Sequence, residues 1–284
     1  MQIIVDHLTY SYSKGLVYER KALDDINLVI NKGEYVCIIG HTGSGKSTLI
    51  QMLDGLLKPD SGTVYFDGKD IFDSDYSLKN MRGRVGLVFQ YPEYQLFEAS
   101  VIEDVKFGPR NIGMGSLETD VASFEALKMV GIGDELLDAS PLELSGGEKR
   151  RVAIAGILAM KPEVLILDEP TAGLDTKGKN EILELVYRLN RERNITVILV
   201  SHNMEDAAKY ADRVVVMEDG RIKRTGTPEK VFSHYRELRD IGLGVPEGMY
   251  ILEMLKKAGL PVNTDIMTAE GAAAEILRVI RKKS

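Results

Sequence analysis

The chain has 284 residues, enough for one large domain with an appendage, and 43 acidic against 36 basic side chains leave it a formal charge of −7. Its 44% hydrophobic and 28% charged residues exclude a disordered chain, and its acidic pI near 5.3 argues against a protein built to grip nucleic acid. Cys37 is the only cysteine, which excludes a disulfide framework or a cysteine zinc cage, and no apolar run, Val152–Met160 included, reaches the roughly 20 residues of a membrane span.

The N-terminus, MQIIVDHLTYSY, lacks the pattern of a signal peptide, which together with the lone cysteine predicts a cytosolic protein. Gln2–Leu8, Ala22–Ile30 and Tyr35–Ile39 are short segments of alternating polarity separated by polar turns, and read as strands. The third runs into Gly40-His41-Thr42-Gly43-Ser44-Gly45-Lys46-Ser47-Thr48, after which Leu49, Ile50, Met52 and Leu53 keep helical spacing. A glycine-rich turn between a strand and a helix is a phosphate-binding loop: its amide hydrogens and the helix N-terminus face phosphate oxygens. Lys46 is then placed to reach β- and γ-phosphates, and the Ser47 hydroxyl to ligate magnesium. Chance seldom produces this pattern in its strand and helix context.

From about Tyr91 to Pro162 the strand signals fade and helical patterns dominate, which predicts a helical insertion. Within it, Leu144-Ser145-Gly146-Gly147-Glu148 runs directly into the apolar pattern of Val152, Ala153 and Ile154. Taken alone this is a Ser-capped helix start; beside a phosphate loop it suggests a nucleotide approached from two sides. Val164–Leu167 and Ile195–Val200 are unalternated apolar runs, as expected of parallel strands buried on both faces, with the helix Thr176–Arg193 between them. The first delivers Asp168 and Glu169 at its carboxyl end, one to hold magnesium and the other to polarise a water. The second delivers His202, whose imidazole can hydrogen-bond a γ-phosphate.

The ordered set of phosphate loop 40–48, Gln90, signature 144–148, Asp168 and Glu169, the Gly173-Leu174-Asp175 turn and His202 resembles the nucleotide-binding subunit of ATP-binding cassette transporters over residues 1–236. The fold expected is α/β: a P-loop NTPase core with a mainly parallel sheet, an antiparallel β subdomain, a helical insertion and a C-terminal helical extension. The resemblance implies ATP and Mg2+ as ligands. It implies that Tyr12, rather than the nearby Tyr10, stacks on adenine, and that Gln90 contacts magnesium and the lytic water. It further implies that Ser145, Gly146 and Gly147 reach the γ-phosphate of ATP held by a facing ATPase subunit, a copy or a paralogue, and that Asp175 lies in a turn linking the two sites. Glu148 departs from the glutamine usual in this signature, and Ala172 from the usual turn sequence.

Tyr91-Pro92-Glu93-Tyr94-Gln95-Leu96-Phe97 and the following Val101–Pro109 resemble the ATPases of energy-coupling factor importers of vitamins and transition-metal ions, and Gly40–Gly43 with Ala155–Met160 the second ATPase type of that group. The implied partners are a membrane coupling protein and a small substrate-capture membrane protein, with no nucleic acid, at the cytoplasmic face of the membrane. An ATPase of another import system is the alternative. A mechanical ATPase acting on DNA or ribosomes fits less well, because neither a long coiled coil nor a second cassette is present; a P-loop kinase has no use for the signature. Glu93 or Glu98 is expected to pair with an arginine of the membrane partner. The predicted boundaries are 1–241 for the ATP-binding domain, with its insertion at about 91–162, and 242–284 for the extension, hinged at Gly242–Gly248. In that extension Ala269, Ala272, Ala273, Ile276, Leu277 and Ile280 form a helical stripe that must be covered, by the cassette itself or by a second ATPase.

Overall fold

The computed structural model describes residues 2–281. The chain opens with the antiparallel strands β1 (Ile3–Tyr12) and β2 (Arg20–Ile30), followed by β3 (Tyr35–Gly40), the phosphate loop and α1 (Lys46–Leu53). Then come β4 (Ser61–Phe66), β5 (Lys69–Asp70), α2 (Leu78–Arg84) and β6 (Val85–Val88). The helices α3 (Val101–Ile112), α4 (Ser116–Met129) and α5 (Gly146–Leu158) make up the predicted insertion. The chain returns through β7 (Val164–Asp168), α6 (Thr176–Arg193), β8 (Thr196–Val200), α7 (Met204–Tyr210), β9 (Arg213–Glu218) and β10 (Arg221–Gly226). It ends in the helices α8 (Pro228–Phe232), α9 (Tyr235–Asp240), α10 (Glu247–Lys257) and α11 (Ala269–Arg281).

The central sheet runs β10-β9-β3-β8-β7-β6, parallel except for the β9-β10 hairpin, and a second, antiparallel sheet runs β2-β1-β4-β5. Every residue of β3, β7 and β8 is buried, which explains their unalternated apolar runs: both faces of the central sheet are covered. On one face Val36, Ile38, Ile166 and Ile198 meet the antiparallel sheet and α1. On the other, Cys37, Ile39, Leu165 and Leu167 meet α3, α5 and α6. Cutting a side chain such as Ile166 or Leu167 back to alanine in such a layer costs about 2–5 kcal/mol. Register then fixes the site: Ile38 and Asp168 both lie opposite Val200, so the ends of β3, β7 and β8 open onto one edge. Strand β6, only four residues long, and the pairs β4-β5 and β9-β10 escape the sequence reading because each is too short or too mixed to show a period.

The Gly242–Gly248 segment is not a free hinge. Leu243 and Met249 are buried in the core beside α7 and α8, and the Glu247 amide donates to Glu205 Oε1 at 3.1 Å. Beyond it α10 and α11 close a small cluster of Leu252, Val262, Ala272 and Val279. Of the expected stripe only Ala272 is fully buried and Ile276 partly; Ala269, Ala273, Leu277 and Ile280 are exposed. The inward face of α11 is Ala272, Glu275, Ile276 and Val279, about a quarter turn from the centre of the stripe, because the apolar residues span more of the helix than α10 covers. Glu275 can be buried there because its carboxylate accepts from Arg278 Nε at 2.6 Å and from the Asn263 amide at 2.7 Å. Residues 282–284 of the expected extension lie outside the described residues.

Candidate active site

The phosphate loop begins where β3 leaves the sheet. Gly45 closes it at φ 103°, and a Cβ there would stand 2.4 Å from the Ala22 carbonyl, so only glycine lets the backbone turn into α1 against β2. Lys46 is buried under this turn, its Nζ donating to the carbonyls of Gly40 at 2.8 Å and His41 at 2.9 Å. Burial pulls its pKa down, opposed by the charges of Glu169 and Asp168. The Ser47 hydroxyl hydrogen-bonds Asp168, whose carboxyl is pushed above the usual range by burial and held back by that bond. Tyr12, Gly43, Gly45, Lys46, Ser47 and Thr48 line one small cavity of about 150 Å3. Tyr12 Oη lies 3.2 Å from Thr48 Oγ1, while Tyr10 packs edge-on against the Tyr12 ring and, partly buried, against the core.

Across the strand ends, Glu169 sits just beyond Asp168 at φ 48°, a left-handed backbone that aims its side chain along the sheet edge. His202 Nε2 is 2.6 Å from its Oε1, and Gln90 Nε2 donates to its Oε2 at 3.3 Å. A carboxylate held between an imidazole and an amide, beside a phosphate loop, is oriented to take a proton from a water. The structure thus gathers Tyr12, residues 40–48, Gln90, Asp168, Glu169 and His202 at one edge of the sheet.

Ser145, Gly146 and Gly147 stand apart. Ser145 caps α5: its hydroxyl accepts from the Glu148 amide, and the Glu148 carboxylate accepts from the Ser145 amide at 2.8 Å and from its hydroxyl at 2.6 Å. Glutamate in place of the usual glutamine thus completes a capping box, and these bonds hold its pKa below the usual carboxylate range. Nothing lies within 4 Å of a Cβ built on Gly146, and on Gly147 only Arg151 Nη1 at 3.9 Å. Among the described residues, no hydrogen bond or ion pair joins this turn to the phosphate loop.

Residues 23–172 match the family described as ABC transporter. The chain is 53% identical over 281 residues to the energy-coupling factor transporter ATP-binding protein EcfA2 of Caldanaerobacter subterraneus subsp. tengcongensis, covering 99% of this chain and 98% of that one. It is 51% identical, at the same coverage, to EcfA2 of Clostridium acetobutylicum. The chain belongs to the ABC transporter family. Within that family it groups with the energy-coupling factor ATP-binding proteins. Among solved structures, cbiO1 from Clostridium perfringens, described as part of a cbiONQ ABC transporter complex, superposes with a TM-score of 0.74 at 43% identity, covering 88% of this chain and 98% of that chain. The ATP-binding cassette MJ0796, as a dimer bound to ADP and Pi, gives 0.71 at 33% identity, covering 80% and 98%.

This ABC ATPase is a nucleotide-binding protein, and no helix among the described residues is long and apolar enough to cross a membrane. Two of its residues near the site are silent in the sequence. Arg20 donates from Nη2 to the Gly43 carbonyl at 3.1 Å, bracing the phosphate loop from the start of β2, a strand end where a charge is unremarkable. Arg150, in the basic run Lys149-Arg150-Arg151, is 1% exposed. It takes Glu93 in a two-pronged bond, Nε to Oε2 at 3.0 Å and Nη2 to Oε1 at 2.6 Å. Glu93 is therefore committed inside the chain and is not available to an outside arginine, contrary to the expectation; Glu98 has no such partner among the described residues.

Proposed function

We propose that this ATPase is the motor subunit of an energy-coupling factor type importer, lying against the cytoplasmic face of the membrane and drawing its power from ATP sandwiched between it and a second ATPase subunit. The observation that carries the composite site is the open turn at Ser145–Gly147: Ser145 and Gly146 are exposed, and the chain puts nothing within 4 Å of a Cβ built on Gly146. The phosphate loop supplies the other half. Each site is then complete only when a facing subunit brings its own Ser145–Gly147 turn to the γ-phosphate, which makes closure depend on ATP.

In the closed site Lys46 neutralises the β- and γ-phosphates, and the ring of Tyr12 lies beside the loop to stack on adenine. Glu169 accepts the proton of the attacking water as its oxygen bonds to the γ-phosphorus and the bond to ADP breaks. His202 and Gln90 hold the carboxylate and the water in line. One hydroxyl, Ser47, facing one carboxylate, Asp168, is a hard oxygen pair that fits Mg2+, and these two with Gln90 would hold it. When bound it would supply neutralisation of phosphate charge. Release of phosphate removes the contacts that held the pair shut, and reopening resets the membrane partner.

The coupling protein and the substrate-capture protein are the partners this reading requires, and a vitamin or a transition-metal ion is the cargo. The exposed aromatics Tyr94, Phe97 and Phe107 form the apolar surface that meets the coupling protein. The test is to tag this subunit, copurify its membrane partners, and measure ATP-dependent uptake in vesicles. A purified complex without an integral membrane component would overturn the importer assignment.

A further inference from the structure

Arg150 touches three elements of the site at once. It belongs to α5, the helix that begins at the Ser145–Gly147 turn. Its Nη1 donates to the carbonyl of Pro170 at 3.0 Å and to that of Ala172 at 2.8 Å, the two carbonyls that flank the turn between Glu169 and Gly173-Leu174-Asp175. Its Nε and Nη2 grip Glu93, on the short 3-10 turn Pro92–Gln95 that follows Gln90. Its Cζ lies 5.9 Å from the centre of the Tyr91 ring, and that ring is 3.6 Å from where a Cβ of Gly173 would stand.

The guanidinium is a rigid plane, so groups bonded to its two edges keep a fixed separation. The far end of the Tyr91–Phe97 segment is also fastened, by the amides of Phe97 at 3.2 Å and Glu98 at 3.0 Å to the Asp104 carboxylate. Between these anchors the segment exposes Tyr94 and Phe97. A push on that surface has few soft joints through which to dissipate before it reaches Arg150, and through Arg150 the peptides next to Glu169. Burying an ion pair brings little net stability over apolar packing, so packing alone gives no reason for a fork with four polar partners here.

We infer that Arg150 is a positioning residue that transmits displacement of the Tyr91–Phe97 segment to the Pro170–Ala172 turn, so that engagement of that segment by the membrane partner sets how well Glu169 is placed for hydrolysis. The inference rests on the importer reading for the identity of the partner, but the link from Arg150 to Glu169 does not.

The experiment compares Arg150→Lys, Glu93→Gln and the apolar pair Arg150→Met with Glu93→Leu, in the purified ATPase and in the complex copurified with its membrane partner. Arg150→Lys keeps the charge and loses the fork. Its kcat is expected to fall at least fivefold with KM for ATP within twofold of wild type, because only the placement of Glu169 changes. Glu93→Gln is expected to leave turnover of the isolated ATPase within twofold and to cut stimulation by the membrane partner at least fivefold. The apolar pair removes both charges together but leaves the Pro170 and Ala172 carbonyls without their donor, so it is expected to melt below the wild type yet still in a single cooperative transition, and to show neither full kcat nor stimulation. Wild-type kcat and stimulation in Arg150→Lys, or their restoration in the apolar pair, would reduce Arg150 to a packing residue and overturn the inference. If wild type itself shows no stimulation by a membrane partner, the importer reading fails, and the kcat of Arg150→Lys alone still decides the link to Glu169.

Discussion

His202 Nε2 and Glu169 Oε1 are 2.6 Å apart, across the ends of strands that are adjacent in the sheet, and the opposite oxygen of the same carboxylate accepts from Gln90. The carboxylate is held from both sides by its own chain. Glu169→Gln removes the proton acceptor while keeping the shape, so kcat is expected to fall by about 10²–10⁴ with ATP affinity retained and the closed dimer accumulating. Lys46→Ala instead removes ground-state neutralisation of the phosphates and weakens ATP binding itself. Single-turnover hydrolysis and equilibrium nucleotide binding separate the two, and a Glu169→Gln protein that turns over at the wild-type rate contradicts the assignment.

Ser145→Arg places a long cation on the open turn that would face a second subunit. Ser145 is exposed and the substitution removes only its cap on α5, worth about 1 kcal/mol, so the folded monomer and its ATP affinity are expected to survive, whereas ATP-driven dimerisation disappears. Light scattering with and without ATP measures it; dimerisation at wild-type ATP concentration would place the signature outside the composite site.

Asp54, buried at the C-terminal end of α1, has its carboxyl pushed up to about 7 by burial, with Arg82 opposing. The unfolded carboxyl titrates near 3.8, so between pH 4 and 7 the folded chain holds a proton that the unfolded chain has released. Stability contributed by this group is therefore full below the unfolded value and declines as pH rises through the folded one, by about 1.4 kcal/mol per pH unit at most. Asp54→Asn removes that slope, and its melting temperature should exceed that of wild type at pH 8 and match it near pH 4. Parallel melting curves across that range for the two proteins would be evidence that Asp54 is charged throughout.

The separation of an ATP-binding domain at 1–241 from an extension at 242–284 is a proposal, and its use in pairing can be tested without deletion. Removing residues from 245 onward would also strip Met249 from the main core. Ile251 and Leu277 are about half exposed on α10 and α11, so Ile251→Glu with Leu277→Glu leaves the core intact. These changes are expected to weaken association with the partner ATPase in the absence of nucleotide by at least tenfold, with ATP affinity unchanged. Sedimentation of the two mixtures decides it; equal association would confine the extension to packing on its own cassette.

Features that depend on residues close together in the chain are legible in their order. The phosphate loop needs its glycines within one turn, β7 needs an apolar run that ends in Asp168 and Glu169, and α6 shows its helical period over the same Thr176–Arg193 in sequence and structure. The preference for Tyr12 over Tyr10 could be weighed in the sequence, and the place of Tyr12 beside Thr48 on the wall of the phosphate-loop cavity supports it, a proximity across 36 residues that no period of two reveals. Arg150 and Glu93 are 57 residues apart, and each alone looks like a solvated surface charge. Only the packing of α5 against the segment after β6 buries Arg150, joins it to a half-buried Glu93 and takes Glu93 away from any outside partner. The apolar stripe of α11 likewise could be drawn on a helix but not aimed, because which edge of it is covered depends on where α10 lies. Local chemistry is written in the order of residues; orientation, pairing and burial are properties of surfaces that meet only once the chain has closed on itself.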